Sequence, residues 1–137
     1  MDRLSETLRW MLIAERDFHL ALDNQDRYPE EAVYHFQQSA EKYLKAFLFF
    51  HEKPLKRTHD MAALVLACVA EDVEFLRLQK DVDPGDMTLF ATRYRYPNED
   101  GIDSVSAEDR ENASLFAAQV RSLVRAKLAV VLVTHTP

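Results

Sequence analysis

Glycine is nearly absent: Gly85 and Gly101 are the only two among 137 residues. Sheet proteins need many tight turns, and those turns recruit glycine, so this scarcity argues for long helices. Cysteine is scarcer still. Cys68 stands alone, which excludes an intramolecular disulfide, and its neighbours Val65, Leu66, Ala67, Val69 and Ala70 point to a packed structural thiol. The longest apolar tract, Leu128 to Val133, falls far short of the ~20 residues that span a bilayer. Met1-Asp2-Arg3-Leu4-Ser5-Glu6 has no apolar run of the signal-peptide kind. The expectation is a soluble cytoplasmic protein with no membrane association. Positive charge is in the minority, with 17 Lys and Arg against 23 Asp and Glu, for a net −6. Such a chain has no general attraction for phosphate backbones, although a local basic patch could still bind RNA or a nucleotide. The acidic field more directly favours solubility or a basic partner.

An apolar content of 47% excludes a largely disordered chain, and the length suits one domain spanning residues 1–137. Periodicity then divides it. Leu4, Leu8, Met11, Phe18, Ala21 and Leu22 recur at helical spacing from about Asp2 to Asn24, while Arg3, Arg9, Arg16 and Asp17 keep other faces wet. Pro29 opens a second helix to about His51, with Glu30 and Glu31 complementing its dipole. Its apolar stripe is Ala32, Val33, Phe36, Ala40, Tyr43, Leu44, Phe47 and Phe50. A basic connection follows, broken at Pro54, and Thr58 is the expected N-cap of a third helix from Asp60 to about Glu71. Val73 to Lys80 reads as a short helix or turn, and Met87 to Tyr94 as another short helix. Ser106, with Asp109 in the capping-box position, starts a last long helix through about Leu132. The fold class is all-α: an up-and-down bundle of three long helices and one or two short ones.

Three constellations could carry chemistry. On the second helix Gln38, Glu41, Lys42 and Lys45 lie within an arc of roughly 100°, opposite the apolar stripe. A solvated face with one Glu41–Lys45 pair worth about 0.3–0.5 kcal/mol is one reading. Tyr34 and Phe49 project from the same side, however, and large aromatics there suggest that a subunit or the irregular middle segment packs over it. Thr58-His59-Asp60 is either a capped helix start with a surface histidine or the rim of a site. Thr92-Arg93-Tyr94-Arg95-Tyr96-Pro97 alternates guanidinium and aromatic groups, suited to a nucleotide, an RNA base with its phosphate, or a carboxylate-bearing partner. Core tyrosines with paired arginines would leave the same pattern. His19, His35, His51 and His135 are scattered, and neither a metal motif, a glycine-rich phosphate loop nor a nucleophile–base pair is present. No metal or other cofactor is expected.

With these elements placed, the chain resembles the HEPN family, in its small prokaryotic Arg-Tyr-Pro form. The resemblance lies in Gln38-Ser39-Ala40-Glu41-Lys42-Tyr43-Leu44-Lys45-Ala46, in Lys56-Arg57-Thr58-His59-Asp60, and in Arg95-Tyr96-Pro97 before an acidic loop and a long final helix. It implies a helical bundle that forms a homodimer. It also implies a partner, because many members are encoded beside a minimal nucleotidyltransferase in a toxin–antitoxin-like pair. Catalytic members are metal-independent ribonucleases using an Arg, four to six intervening residues, and a His. Here the windows after Arg93 and Arg95, through Ile102, contain no histidine, so the usual proton-transfer group is missing. No catalytic residue is assigned. The resemblance thus implies a binding module for nucleotide, RNA or a nucleotidyltransferase. Arg93, Arg95 and Lys45 would engage phosphate or carboxylate, Tyr96 would stack or fix the arginine, and His59 and Asp60 would line the rim. Gln38, Glu41 and Lys42 complete the candidate site. The alternative is a ribonuclease toxin with Arg95 and His59 as its essential pair.

Overall fold

In the computed structural model, which describes residues 2–54, 58–94 and 105–135, the periodic segments fold as helices around the second of them. Asp2 caps α1 (Arg3–Asn24) by accepting from the Ser5 amide at 2.7 Å, and Pro29 opens α2 (Pro29–Phe50). The pair is antiparallel. Arg3 at the start of α1 reaches Glu52 beyond the end of α2, while Asp17 meets His35 and Lys42 in its middle. α2 ends in a left-handed residue: Glu52 has φ 59°, and the Lys53 amide returns to the Leu48 carbonyl at 2.9 Å. That closure satisfies carbonyls that a helix end otherwise leaves open.

Packing around α2 is nearly complete. α1, α5 (Ala107–Lys127), α3 (Met61–Glu71) and α4 (Pro84–Arg93) all lie against it. Among the described residues there is one core cluster, containing Phe36, Tyr43, Leu44 and Phe47 of α2 with Met11, Met61, Phe75, Met87 and Phe116 from its neighbours. A helix wrapped on this many sides buries polar positions as well as apolar ones. Gln37, Ser39, Glu41 and Lys45 are all buried. Burial of Glu41 and Lys45 agrees with the reading of a covered face opposite the apolar stripe and not with the solvated one, whereas Asp17, expected in solvent, is buried. Leu22, expected in the α1 stripe, is exposed instead.

Three element bounds also differ from the sequence reading. Asp60, not Thr58, caps α3: its carboxylate accepts from Ala63 at 3.1 Å, while Thr58 accepts from the Asp60 amide at 3.0 Å. α4 begins at Pro84 rather than Met87, because Asp83 caps it by accepting from Gly85 at 2.9 Å and proline suits a first helical turn. The last helix is interrupted at Leu128 (φ −106°, ψ 24°), and α6 (Ala129–His135) packs on α1. The break lets Leu128 and Val131 both face the core. Between α3 and α4, Val73–Gln79 forms a 3-10 helix held by Phe75 and Leu78. Ser106 caps α5 through the Asp109 amide at 3.0 Å.

Cys68 is in the core, its thiol 3.8 Å from the Leu44 carbonyl, and burial pushes its pKa up to about 12. A thiol is nucleophilic only as thiolate. An aromatic disulfide reagent at about pH 8 is therefore expected to leave Cys68 untouched in the folded protein and to titrate it fully in denaturant. Equal rates in both would contradict the packed placement.

Candidate functional site

Glu41 carries the most constrained charge on α2. Its side chain is 4% exposed, and its two oxygens have different partners. Lys45 Nζ, one turn along and 11% exposed, donates to Oε2 at 3.3 Å. His59, just before the α3 cap and 76% exposed, places Nδ1 2.9 Å from Oε1. An ionised carboxylate only accepts, so the ring's Nδ1–H donates, leaving Nε2 turned from Glu41. The spacing of Glu41 and Lys45 predicts their pairing, while His59 joins the same candidate site in the sequence only through the family resemblance.

A second carboxylate organises the other edge of α2. Asp17 of α1 accepts from Lys42 at 2.7 Å through Oδ2 and pairs with His35 Nδ1 at 2.9 Å through Oδ1. Gln38 donates to the Tyr34 hydroxyl at 2.7 Å, and the Tyr34 ring meets His35 edge-on. The buried Gln37 Oε1 and Ser39 Oγ have no hydrogen-bond partner among the described residues.

Arg93 lies apart from this set. At the end of α4 it donates to Asp109 of α5 at 3.2 Å, and the Tyr94 hydroxyl donates to the same carboxylate oxygen. Asp109 is thereby turned to α4, and Ser106–Asp109 forms only the serine half of a capping box. Asp60 stands beside His59, as the α3 cap. Arg95 and Tyr96 lie outside the described residues. The structure thus joins Glu41, Lys45 and His59 in one cluster, sets Lys42 on Asp17 and Gln38 on Tyr34, and among the described hydrogen bonds none links Arg93 to any of them.

Asp17, His35 and Gln37 were not read from the sequence as site residues. For Asp17 the signal was there. Ala14, Asp17, Phe18 and Ala21 stand at i, i+3, i+4 and i+7, so this carboxylate lies inside the buried stripe of α1.

A third cluster ties α1 to α5. Glu15 accepts from Arg121 Nε at 2.6 Å and from its second guanidinium nitrogen at 2.9 Å, and from Arg125 at 2.9 Å. Arg121 also lies over the Phe18 ring at 5.1 Å. Burial alone would raise the Glu15 carboxyl, but the Arg121 hydrogen bond and the two guanidinium charges outweigh it and hold its pKa below the ordinary value. A depressed folded pKa stabilises the protein above the unfolded value, and that stability is lost as pH falls through the folded one. The urea midpoint of the wild-type chain should therefore fall more steeply than that of Glu15→Gln between about pH 5 and pH 3. Parallel slopes would mean that the clasp does not form.

Among the described residues, no group of three His, Cys, Asp or Glu side chains could hold a metal ion, and no helix is long and apolar enough to cross a membrane.

The HEPN domain family model matches residues 7–127, nearly the whole chain. The chain belongs to the HEPN family. A search of curated proteins returned no match, and a search of solved structures returned none either. Within this HEPN domain the matched span runs from the second turn of α1 to the end of α5, so it contains both carboxylate-centred clusters on α2.

Proposed function

We propose that this HEPN protein is a non-catalytic binding module that works as a homodimer and docks a cognate minimal nucleotidyltransferase in a toxin–antitoxin-like pair. One observation carries the preference for a protein over RNA or a nucleotide. Each described cation of the candidate site already faces a carboxylate: Lys42 on Asp17, Lys45 on Glu41, and Arg93 on Asp109. A phosphate would have to displace those partners against a net charge of −6. A protein surface needs only the polar rim of Tyr34, Gln38 and His59, and reads it by shape and hydrogen bonds. Co-expression with tagged minimal nucleotidyltransferases tests this. Co-elution is expected, weakened about tenfold or more by Gln38→Arg together with His59→Ala. Binding unaffected by those changes would move the interface elsewhere.

The ribonuclease reading is favoured by one feature, the fixing of His59 Nδ1 by Glu41. Such a carboxylate orients an imidazole for proton transfer. In that reading His59 would carry the proton and Arg95 would stabilise charge on the phosphate. Cleavage of mixed RNA that is abolished by His59→Ala would favour this reading over the binding module.

A further inference from the structure

α3 breaks the pattern set by the other long helices. Its sequence, Met-Ala-Ala-Leu-Val-Leu-Ala-Cys-Val-Ala-Glu, has no charged residue before Glu71 at its end. A surface helix ordinarily turns charges outward, and one that is apolar all round is ordinarily covered on both sides. Met61, Leu64, Val65 and Cys68 meet the core. The outward side is bare, with Leu66 58% exposed at its centre. By contrast, α1 turns Arg9 and Arg16 outward, and α5 turns Glu108 and Glu111.

Beside Leu66 runs an open groove of about 450 Å³, floored by Ala62, Val82 and Pro84. Its polar wall is Asp81 and Asp83 with Lys80. Two carboxylates against one ammonium leave the groove acidic. Asp81 and Asp83 each keep a second oxygen beyond the one engaged with Gln119 or Gly85. An apolar helix face bordered by an acidic groove fits one kind of occupant, an amphipathic helix whose flanks are basic.

We propose that the outward face of α3, with the Asp81–Asp83 groove, is a second docking surface that takes a basic amphipathic helix of another protein. It is separate from the α2 site and does not depend on the reading given for it.

The test uses the full chain and a fluorescein-labelled amphipathic peptide of about 18 residues, with leucines at i, i+3, i+4 and i+7 and lysines at both flanks. Anisotropy should show saturable binding, at least about tenfold tighter than for the same peptide with glutamate flanks. Leu66→Asp should weaken it about tenfold or more. Asp81→Asn with Asp83→Asn, which keeps both acceptors, should weaken it at low salt and flatten its salt dependence. Leu66→Ser serves in place of Leu66→Asp should circular dichroism show the latter unfolded. Absence of saturable binding, equal binding of the two peptides, or indifference to the Leu66 variant overturns the proposal. His59→Ala should leave peptide binding unchanged, which separates this surface from the α2 site.

Discussion

Glu41→Ala is expected to destabilise the protein by about 3–5 kcal/mol in urea unfolding. The substitution leaves Lys45 buried with no carboxylate beside it, and an ammonium out of water without a partner is the costly half of a broken ion pair. An exposed i,i+4 pair, the bland sequence reading of the same two residues, would cost only about 0.3–0.5 kcal/mol. The tenfold gap decides between a solvated face and a buried one. The double variant Glu41→Met with Lys45→Met should recover most of the loss, because apolar side chains of similar volume replace both charges at once. A Glu41→Ala cost below about 1 kcal/mol would place this carboxylate in solvent and remove the fixed geometry of His59.

Phe47→Ala should cost a similar amount, about 3–5 kcal/mol, for a different reason. Phe47 is buried on α2 and meets Phe75 of the 3-10 helix at a 43° tilt with ring centroids 4.4 Å apart, and His51 at the end of α2 lies 4.5 Å away. Removing the ring takes away buried apolar area and leaves a cavity where α2 meets the 3-10 helix. Phe47→Leu should keep most of the volume and cost about 1.5 kcal/mol or less. Losses below about 1.5 kcal/mol for both variants would show that the site collapses around alanine and that ring packing is not what holds the 3-10 helix in place.

The fold was legible because each long helix carries its own pattern. The stripe of Phe116, Val120, Leu123 and Val124 in α5, continued by Leu128 and by Val131 of α6, is buried throughout, as its spacing predicts. The interruption at Leu128 was not legible, since neither glycine nor proline marks it. It follows from packing of α6 on α1, a tertiary effect that local sequence does not encode. At the site, the face of Gln38, Glu41, Lys42 and Lys45 was visible as a periodic set. The burial of Glu41 and Lys45 was signalled only by Tyr34 and Phe49 on the same side, because periodicity on one helix cannot say how many neighbours surround it. Asp17 shows the same limit from the other side. A helical wheel places it within the buried stripe, but only α2 supplies the Lys42 and His35 that make its burial tolerable. The joining of His59 to Glu41 spans 18 positions and depends on how α3 enters the bundle.

With the cations of the α2 site engaged within the protein, the ligand proposed for it is another protein and not RNA. Titration of the purified chain with a mixed single-stranded RNA across about 0.05–0.2 M salt tests this most directly. Affinity no tighter than about 0.1 mM at the upper salt concentration, unchanged by Lys42→Ala and Lys45→Ala, is the predicted result. Submicromolar binding with a steep salt slope that flattens in those variants would contradict it.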